Sequence, residues 1–234
     1  MAWGACAPST IVTSNPGPQA PSRGPGRRRS RFRGWRLVVL ALALAAIAAI
    51  IVRATLLDFY YIGSGSMEPT LNPGEGLLVD RTAYHGHPVE RGDVVVFDGR
   101  GSLLPYESDT VLDDLVRALR LSGDDTVFVK RAVGVGGDTI SCCAADGRLL
   151  VNGTPVDEPY LYPGDAPSGQ QFTAVVPEGR IWVMGDHRSV SADSRSLLGA
   201  PGGGMIPVDR VVGRVERIIW PADAARKIEG KAAQ

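Results

Sequence analysis

The chain has 234 residues, enough for one globular domain with additional segments, and its 44% apolar and 21% charged residues can support a buried core. Its three cysteines are too few for a disulfide-dense scaffold, and no Cys-x-x-Cys or His/Cys array indicates structural zinc. The net charge of zero conceals an asymmetry: the first 57 residues contain eight arginines and no acidic residue, which leaves 17 basic against 25 acidic residues in the remainder. Such an acidic body is a poor candidate for nucleic-acid binding.

The N-terminal region divides into a polar leader and an apolar run. Residues 1–34 are rich in Pro, Gly, Ser and Arg and lack apolar periodicity, which predicts a disordered leader. The run LVVLALALAAIAAIIV follows at residues 37–52, and extended to residue 57 it would form a helix about 31 Å long, enough for one bilayer crossing. A buried soluble helix would need a polar stripe, and a cleavable signal peptide would need a shorter leader and a small-x-small site after the run. Because the sequence has neither pattern, we predict a transmembrane helix over residues 35–57.

The distribution of charge predicts the orientation of this helix. Seven arginines precede the apolar run that begins at residue 37, and the positive-inside rule then places the N-terminus in the cytoplasm. Residues 58–220 are therefore expected to form an extracytoplasmic domain at the plasma membrane, reached by a single membrane crossing. Cys6 would be a cytoplasmic thiol, whereas Cys142 and Cys143 would lie on the oxidising side, where two thiols and a vicinal disulfide both remain open.

The body of the chain has the pattern of an antiparallel β protein. Short runs rich in Val, Ile, Leu and aromatic residues recur between turn residues and predict strands at 75–80, 93–97, 126–133, 138–143, 148–151, 171–176, 180–184 and 209–220. Asp146-Gly147 and Asn152-Gly153 are hairpin signals that predict a small β meander over residues 138–157. Since no helices alternate with the strands as parallel crossovers require, the predicted fold class is mainly β.

Two other segments depart from the strand pattern. Residues 99–125 are predicted to be an insertion with one packed surface helix, whose apolar residues at helical spacing are Val111, Leu112, Leu115, Val116 and Leu119. Residues 221–234 are predicted to be a polar tail.

The first cluster with candidate chemistry is GSGSMEPTL at residues 63–71. Glycines on both sides of Ser64 suit a tight turn that presents the hydroxyls of Ser64 and Ser66. Taken alone, the segment could equally be an ordinary Ser/Gly loop. However, Ser66 follows the predicted span by only nine residues, so its hydroxyl is expected near the membrane surface.

The second cluster is centred on Lys130. The chain has 22 arginines and three lysines, of which Lys227 and Lys231 belong to the predicted tail, so the predicted body contains one lysine. A GC-rich genome would explain the general bias but not this exception, and only lysine can lose its proton when buried. Strand alternation places Lys130 on one face with Phe128 and Ala132, among apolar groups. Action as a base near neutrality requires the pKa to fall by about 3 from 10.4, which burial can achieve, although a lysine that extends to solvent is the alternative.

The third cluster is GDHRSVSADSR at residues 185–195. It is either a polar turn with a surface ion pair or a rigid loop in which Ser191 orients the lysine and Asp193 pairs with Arg195. A nucleophile, a base and a third group that orients the base form the general arrangement of a catalytic triad.

Two competing sites have weaker support. A Ser-His-Asp triad would need one of the three histidines, but no G-x-S-x-G elbow surrounds Ser64 or Ser66. His85 and His87 could begin a metal site, but no third ligand is evident from the sequence.

In this order behind one anchor, the clusters resemble bacterial type I signal peptidase, the Ser/Lys leader peptidase family. The segment SGSMEPTL resembles its nucleophile motif and RGDVVVF its next structural motif, while VKRAVGVGGD resembles the lysine motif and GDHRSVSADSR the closing motif. The resemblance covers about residues 58–219, and the Arg/Ala/Gly bias resembles an actinobacterial version. It implies a mainly β fold, with an antiparallel-sheet catalytic core and a small inserted β subdomain that could include the 138–157 meander.

The resemblance also implies roles for individual residues. Ser66 would attack the scissile carbonyl, Lys130 would take the serine proton as a neutral base, and the Ser66 backbone N–H with the Ser64 hydroxyl would form the oxyanion hole. Ser191 would hydrogen-bond the lysine amine, supported by Asp193 and Arg195. The implied substrate pocket residues are Met67, Leu71, Phe128 and Val129.

Two departures from the family pattern are visible: His187 stands where the family usually has Asn, and Gly202-Gly203-Gly204 looks inserted before the last strand. No metal or cofactor is implied.

The expected partners are the signal peptides of preproteins, cleaved after small-x-small sites, together with the phospholipid bilayer and nearby secretion machinery. Two alternatives stay open. One is a self-cleaving regulator with similar Ser/Lys chemistry. The other is a non-catalytic, membrane-tethered β module that binds partners, in which Ser66, Lys130 and Ser191 would lie far apart.

Overall fold

The computed structural model describes residues 17, 30–104, 126–228 and 230, and the chain divides into two compact units, residues 1–46 and 47–234. Helix α1 extends over Ser30–Thr55. It begins inside the stretch predicted to be a disordered leader, because arginine is a good helix former and the single Gly34 costs a helix only about 1 kcal/mol. Within the part of the chain that the structure describes, no helix has the combined length and apolar character that a membrane crossing needs. The leader before Ser30, apart from Gly17, lies outside the described residues.

The described residues of the second unit form twelve strands, and every pairing between these strands is antiparallel. In chain order they are β1 (Leu57–Tyr61), β2 (Gly76–Asp80), β3 (Val94–Asp98), β4 (Val127–Val135), β5 (Thr139–Cys142), β6 (Leu149–Val151), β7 (Thr154–Pro155), β8 (Phe172–Val175), β9 (Arg180–Met184), β10 (Ile206–Pro207), β11 (Val211–Trp220) and β12 (Arg226–Lys227). An eight-stranded sheet has the order β1-β2-β11-β3-β4-β9-β10, with β12 paired to β11, and a four-stranded sheet has the order β7-β6-β5-β8. The predicted mainly β, antiparallel fold class is confirmed.

The larger sheet is covered on both faces near its middle. Val94 and Val96 of β3 belong to one buried cluster, whereas Val95 and Phe97 belong to another. Because alternate residues of a strand point to opposite faces, β3 and its neighbour β4 run between two layers of core. This location explains why a lysine on β4 can be buried.

The smaller sheet packs its apolar face against β9. Ile140, Leu149 and Phe172 share a buried cluster with Trp182, and the rings of Phe172 and Trp182 stack with centroids 5.3 Å apart. The hairpin between β6 and β7 has Asn152 and Gly153 at φ 53° and 78°, the left-handed conformation that the Asn-Gly signal predicts.

Several details differ from the sequence-based expectations. Leu57 begins β1, although it was predicted to end a helix. The predicted polar tail contributes β12 to the sheet and buries Ile228 to 8% exposure, since this one apolar side chain can pack on β11. For Cys142 and Cys143, where two thiols and a vicinal disulfide were both open, the structure has the vicinal disulfide. The helix predicted within 99–125 falls on residues 105–125, outside the described residues.

Candidate active site

The hydroxyl of Ser66 and the amine of Lys130 meet in a direct hydrogen bond. Lys130 Nζ donates to Ser66 Oγ over 2.6 Å, although the two residues are 64 positions apart in the chain. Both side chains are shielded from solvent, with 9% and 4% exposure. A neutral amine at this distance could take the hydroxyl proton directly.

Ser66 is held by a rigid turn rather than a flexible loop. It lies in a one-turn 3-10 helix, Gly65–Met67, whose Met67 side chain is buried in the core. Gly74 donates its N–H to the carbonyl of Ile62 over 2.8 Å, which closes the loop around the turn. The hydroxyl is therefore presented in a defined position before substrate arrives.

Burial is the dominant influence on Lys130. It lowers the pKa of the amine from 10.5 to about 8, while the negative charges of Asp193 and Asp186 act weakly in the opposite direction. Each carboxylate has its own cationic partner, because Arg195 lies 2.8 Å from Asp193 and Arg131 lies 2.7 Å from Asp186. The lysine is thus desolvated without a dedicated counter-ion, as an amine that works near neutrality requires.

Ser64 lies beside the dyad. Its hydroxyl is 3.3 Å from the hydroxyl of Ser66. The two oxygens are close enough for a group bound at Ser66 to reach both, and the oxyanion role of Ser64 stays a prediction.

The segment of residues 185–195, called the closing loop below, approaches Ser66 through Gly185. A Cβ carbon on Gly185 would overlap both the carbonyl oxygen of Ser66 and the hydroxyl of Ser191. Ser191 is therefore at the site as predicted, but its buried hydroxyl has no hydrogen-bond partner among the described residues. The predicted hydrogen bond from Ser191 to the Lys130 amine is wrong for this structure, because the motif brings the loop to the site without fixing the direction of that hydroxyl.

Asp193 and Arg195 form the predicted pair and stiffen the loop. Arg195 Nε and Nη2 donate to the two oxygens of Asp193 over 2.9 and 2.8 Å. Asp193 also accepts the backbone N–H of Gly185 over 3.0 Å and caps the 3-10 helix Ser194–Leu197. These contacts fix Gly185 against the Ser66 turn.

A second buried ion pair was not anticipated from the sequence. Arg131 donates through Nε and Nη2 to both oxygens of Asp186, over 2.8 and 2.7 Å, and Thr70 donates its hydroxyl to the same carboxylate over 2.5 Å. The guanidinium also lies 4.0 Å from the ring centroid of Tyr160. This network joins the nucleophile segment, β4 and the closing loop. The sequence offered one hint of this network: Arg131 follows Lys130, and Asp186 follows Gly185, so both residues lie inside motifs that were already recognised.

A cavity of about 330 Å³ opens next to the dyad. Its lining residues are Tyr61, Ile62, Gly63, Ser64, Ser66, Met67, Val127, Phe128, Val129 and Lys130.

Of the predicted pocket residues, Met67, Phe128 and Val129 line this cavity. Leu71 is absent from the lining and fully buried in the core, which corrects its assignment. The main-chain hydrogen bond from the Leu71 N–H to the Met67 carbonyl places Leu71 one turn further along the chain than Met67.

In the described part of the chain, no group of three or more His, Cys, Asp or Glu side chains could hold a metal ion. The reactive groups that the structure brings together are the hydroxyl of Ser66 and the amine of Lys130.

Comparisons with known proteins identify the family. A family model described as signal peptidase, peptidase S26, matches residues 35–220. A probable signal peptidase I of Mycobacterium leprae is 36% identical over 225 residues, covering 80% of this chain and 78% of the relative. Signal peptidase I of Mycobacterium tuberculosis is 38% identical over 218 residues, covering 80% and 74%. Signal peptidase I of Bacillus licheniformis is 33% identical over 199 residues, covering 82% and 91%.

These matches confirm the resemblance inferred from the four motifs, and the mycobacterial relatives agree with its actinobacterial character. They also confirm the prediction of a serine endopeptidase. The chain belongs to the signal peptidase family, peptidase S26.

Proposed function

We propose that the chain is a membrane-anchored serine endopeptidase that removes signal peptides from exported preproteins, with Ser66 as nucleophile and Lys130 as general base. The observation that carries this proposal is the 2.6 Å hydrogen bond between Lys130 Nζ and Ser66 Oγ. It also argues against the non-catalytic β module, which requires these groups to be far apart.

The first half of the proposed reaction is acylation. Ser66 Oγ attacks the scissile carbonyl carbon while neutral Lys130 accepts the hydroxyl proton. The Ser66 backbone N–H and the Ser64 hydroxyl stabilise the resulting oxyanion, a type of contact worth about 3 to 4 kcal/mol per donor. Collapse of the intermediate breaks the peptide bond, and the Lys130 ammonium protonates the departing amine.

Deacylation repeats this proton transfer with water in place of Ser66. Neutral Lys130 takes a proton from water as the water attacks the acyl-enzyme. The ester bond to Ser66 then breaks, the signal peptide carboxylate leaves, and the Lys130 ammonium returns the proton to Ser66 Oγ. With a pKa of about 8, about a tenth of the amine is neutral at pH 7 and about half at pH 8. Arginine could not take this part, because it does not lose its proton in proteins.

The site has a cavity for the side chains next to the cleaved bond. This cavity lies beside Ser66, is bounded by Met67 and by Val127–Val129 of β4, and has a volume of about 330 Å³. The proposed preference for small-x-small sequences, such as an Ala-x-Ala pattern, is the one that the family resemblance implies.

The membrane anchor is part of the proposal. Helix α1 ends at Thr55 and the nucleophile follows at Ser66, so eleven residues bound their separation to about 40 Å even when fully extended. The apolar segment of a signal peptide lies in the bilayer, and its cleavage site follows within a few residues. A body tethered this closely on the extracytoplasmic face would reach that site beside the phospholipid bilayer and the secretion machinery.

The proposal is tested by incubating the purified full chain with a preprotein and measuring cleavage. Ser66→Ala and Lys130→Ala should each lower turnover by about 10⁴-fold, with retained folding as the control. Near-normal turnover in either variant would contradict the dyad. Carbonate extraction of membranes tests the anchor: the chain should stay in the pellet, and release into the soluble fraction would contradict the membrane assignment.

A further inference from the structure

One residue of the closing loop, His187, contacts the main chain on both sides of the nucleophile. Its backbone N–H donates to the carbonyl oxygen of Ser66 over 3.1 Å. Its side-chain Nδ1 lies 3.2 Å from the carbonyl oxygen of Gly65. The two peptide groups that flank the Cα of Ser66 are therefore both hydrogen-bonded to a single residue.

The surroundings of Nδ1 indicate that this nitrogen carries a proton. A carbonyl oxygen can only accept a hydrogen bond, and the other nearby group, Glu68 Oε2, lies 3.6 Å from Nδ1 and is also an acceptor. Gly65 O accepts the backbone N–H of Glu68 over 3.1 Å as well, which leaves its second lone pair for the imidazole. His187 is thus a hydrogen-bond donor to the nucleophile turn.

The imidazole ring is held in place before substrate binds. It stacks on the ring of Tyr162 with centroids 3.7 Å apart and an angle of 8° between the planes. Tyr162 is itself fixed by a hydrogen bond from its backbone N–H to the carbonyl of Asp186 over 3.0 Å. Only 16% of the His187 side chain is exposed. The ring cannot leave Gly65 without losing this stack.

The planarity of the Gly65–Ser66 peptide links the contact at the Gly65 carbonyl to the direction of the Ser66 N–H. The carbonyl of Gly65 and the N–H of Ser66 belong to the same planar trans peptide, so they point in opposite directions and turn together. A donor that fixes the Gly65 oxygen therefore fixes the direction of the Ser66 N–H. It also polarises the peptide and strengthens that N–H as a donor.

We propose that His187 is a positioning residue that orients and polarises the Gly65–Ser66 peptide, whose N–H stabilises the oxyanion of the transition state. This inference rests on the proposed peptidase function. His187 does not line the cavity beside Ser66, so loss of the imidazole should slow the chemical step and leave substrate affinity nearly unchanged.

The test compares three substitutions by kcat and KM on a peptide substrate. His187→Asn places an amide donor close to the position of Nδ1 and should keep kcat within about threefold of the unmodified enzyme. His187→Ala removes the donor and should lower kcat about tenfold with KM within twofold, a part of the 10²- to 10³-fold effect of deleting an oxyanion donor. His187→Asp has nearly the shape of Asn but directs acceptors at Gly65 O and Glu68, and should be at least as slow as Ala. Val190→Ala, at an exposed position of the same loop, is the matched control.

The affinity for a peptide aldehyde inhibitor provides the second readout. Ser66 Oγ adds to the aldehyde carbon and forms a hemiacetal that resembles the tetrahedral intermediate. Its affinity should fall in proportion to kcat/KM across the three variants. Two results would overturn the inference: wild-type kcat in His187→Ala, or a tenfold loss in a folded His187→Asn. The second result is decisive even if Ala and Asp fail to fold. Failure of the unmodified enzyme to cleave would instead contradict the proposed function.

Discussion

Gly185 and Ser66 are in such close main-chain contact that a single methyl group between them has no space. A Cβ carbon built on Gly185 would overlap the Ser66 carbonyl oxygen. The N–H of Gly185 donates a hydrogen bond to the Asp193 carboxylate over 3.0 Å, which opposes movement of Gly185 away from Ser66.

We therefore predict that Gly185→Ala displaces the nucleophile and lowers kcat/KM for peptide cleavage about 100-fold, as expected for a misplacement of about 1 Å. Gly199→Ala is the matched control, because Gly199 is exposed and has no atom within 4 Å of its Cβ position. Equal activity of the two variants in the same cleavage assay would contradict the tight packing inferred here.

The pH dependence of cleavage should report the amine of Lys130. Burial lowers its pKa to about 8, and the proposed mechanism uses the neutral form. The value of kcat/KM should thus increase tenfold per pH unit below about pH 8 and level off above it. A rate that is already at its plateau at pH 6 would contradict Lys130 as the base.

Lys130→Arg separates charge from basicity. The substitution keeps a cation at the site but removes the possibility of a neutral amine, so we expect activity as low as that of Lys130→Ala, a loss of about 10⁴-fold. The measurement is single-turnover cleavage with excess enzyme. Substantial activity in the Arg variant would mean that a positive charge, rather than a base, is what the site requires.

Strand positions and the burial of Lys130 were predictable from sequence because both depend on local signals, whereas the pairing of Lys130 with Ser66, 64 positions away, was inferred from the family resemblance. Valine-rich runs between turn residues predict strands such as β3, and an isolated lysine on a strand beside apolar residues predicts burial. Contacts that depend on distant packing were not predictable in this way. Asp186 is 55 positions from Arg131, and neither residue indicates its partner by spacing. The short β12 was missed because its Arg226 and Lys227 have polar side chains and pair only through their backbone.

Leu71 and Met67 belong to the same buried cluster, but only Met67 also lines the cavity beside Ser66. Leu71 is fully buried away from the cavity, so Leu71→Ala should lower the free energy of unfolding by about 2 to 5 kcal/mol and leave the residue preference unchanged. Thermal or urea unfolding together with a peptide library would measure both quantities. A changed preference without loss of stability would contradict the placement of Leu71 in the core.

Met67→Ala should change both quantities, because Met67 lines the cavity beside Ser66 and is also buried in the core. The enlarged cavity should accept bulkier residues near the cleaved bond, for example Val or Leu in place of Ala. The same peptide library provides the measurement, with Leu71→Ala as the control. An unchanged preference for small residues would show that Met67 does not limit the pocket.

Asp186 should be more important for folding than any surface acid. Its substitution by Asn leaves the guanidinium of Arg131, which is 2% exposed, without a compensating charge in the core. Removing one partner of a buried pair typically costs about 3 to 5 kcal/mol. Asp157→Asn is the matched control, since Asp157 pairs with Arg148 at 3.0 Å but is 73% exposed, and it should leave the unfolding temperature unchanged.

Asp186→Asn should also affect turnover, because Thr70 donates its hydroxyl to Asp186. Loss of this contact should loosen the nucleophile segment and lower kcat at temperatures where the protein remains folded. Comparable unfolding temperatures for the two variants would contradict a structural role for the Arg131–Asp186 pair.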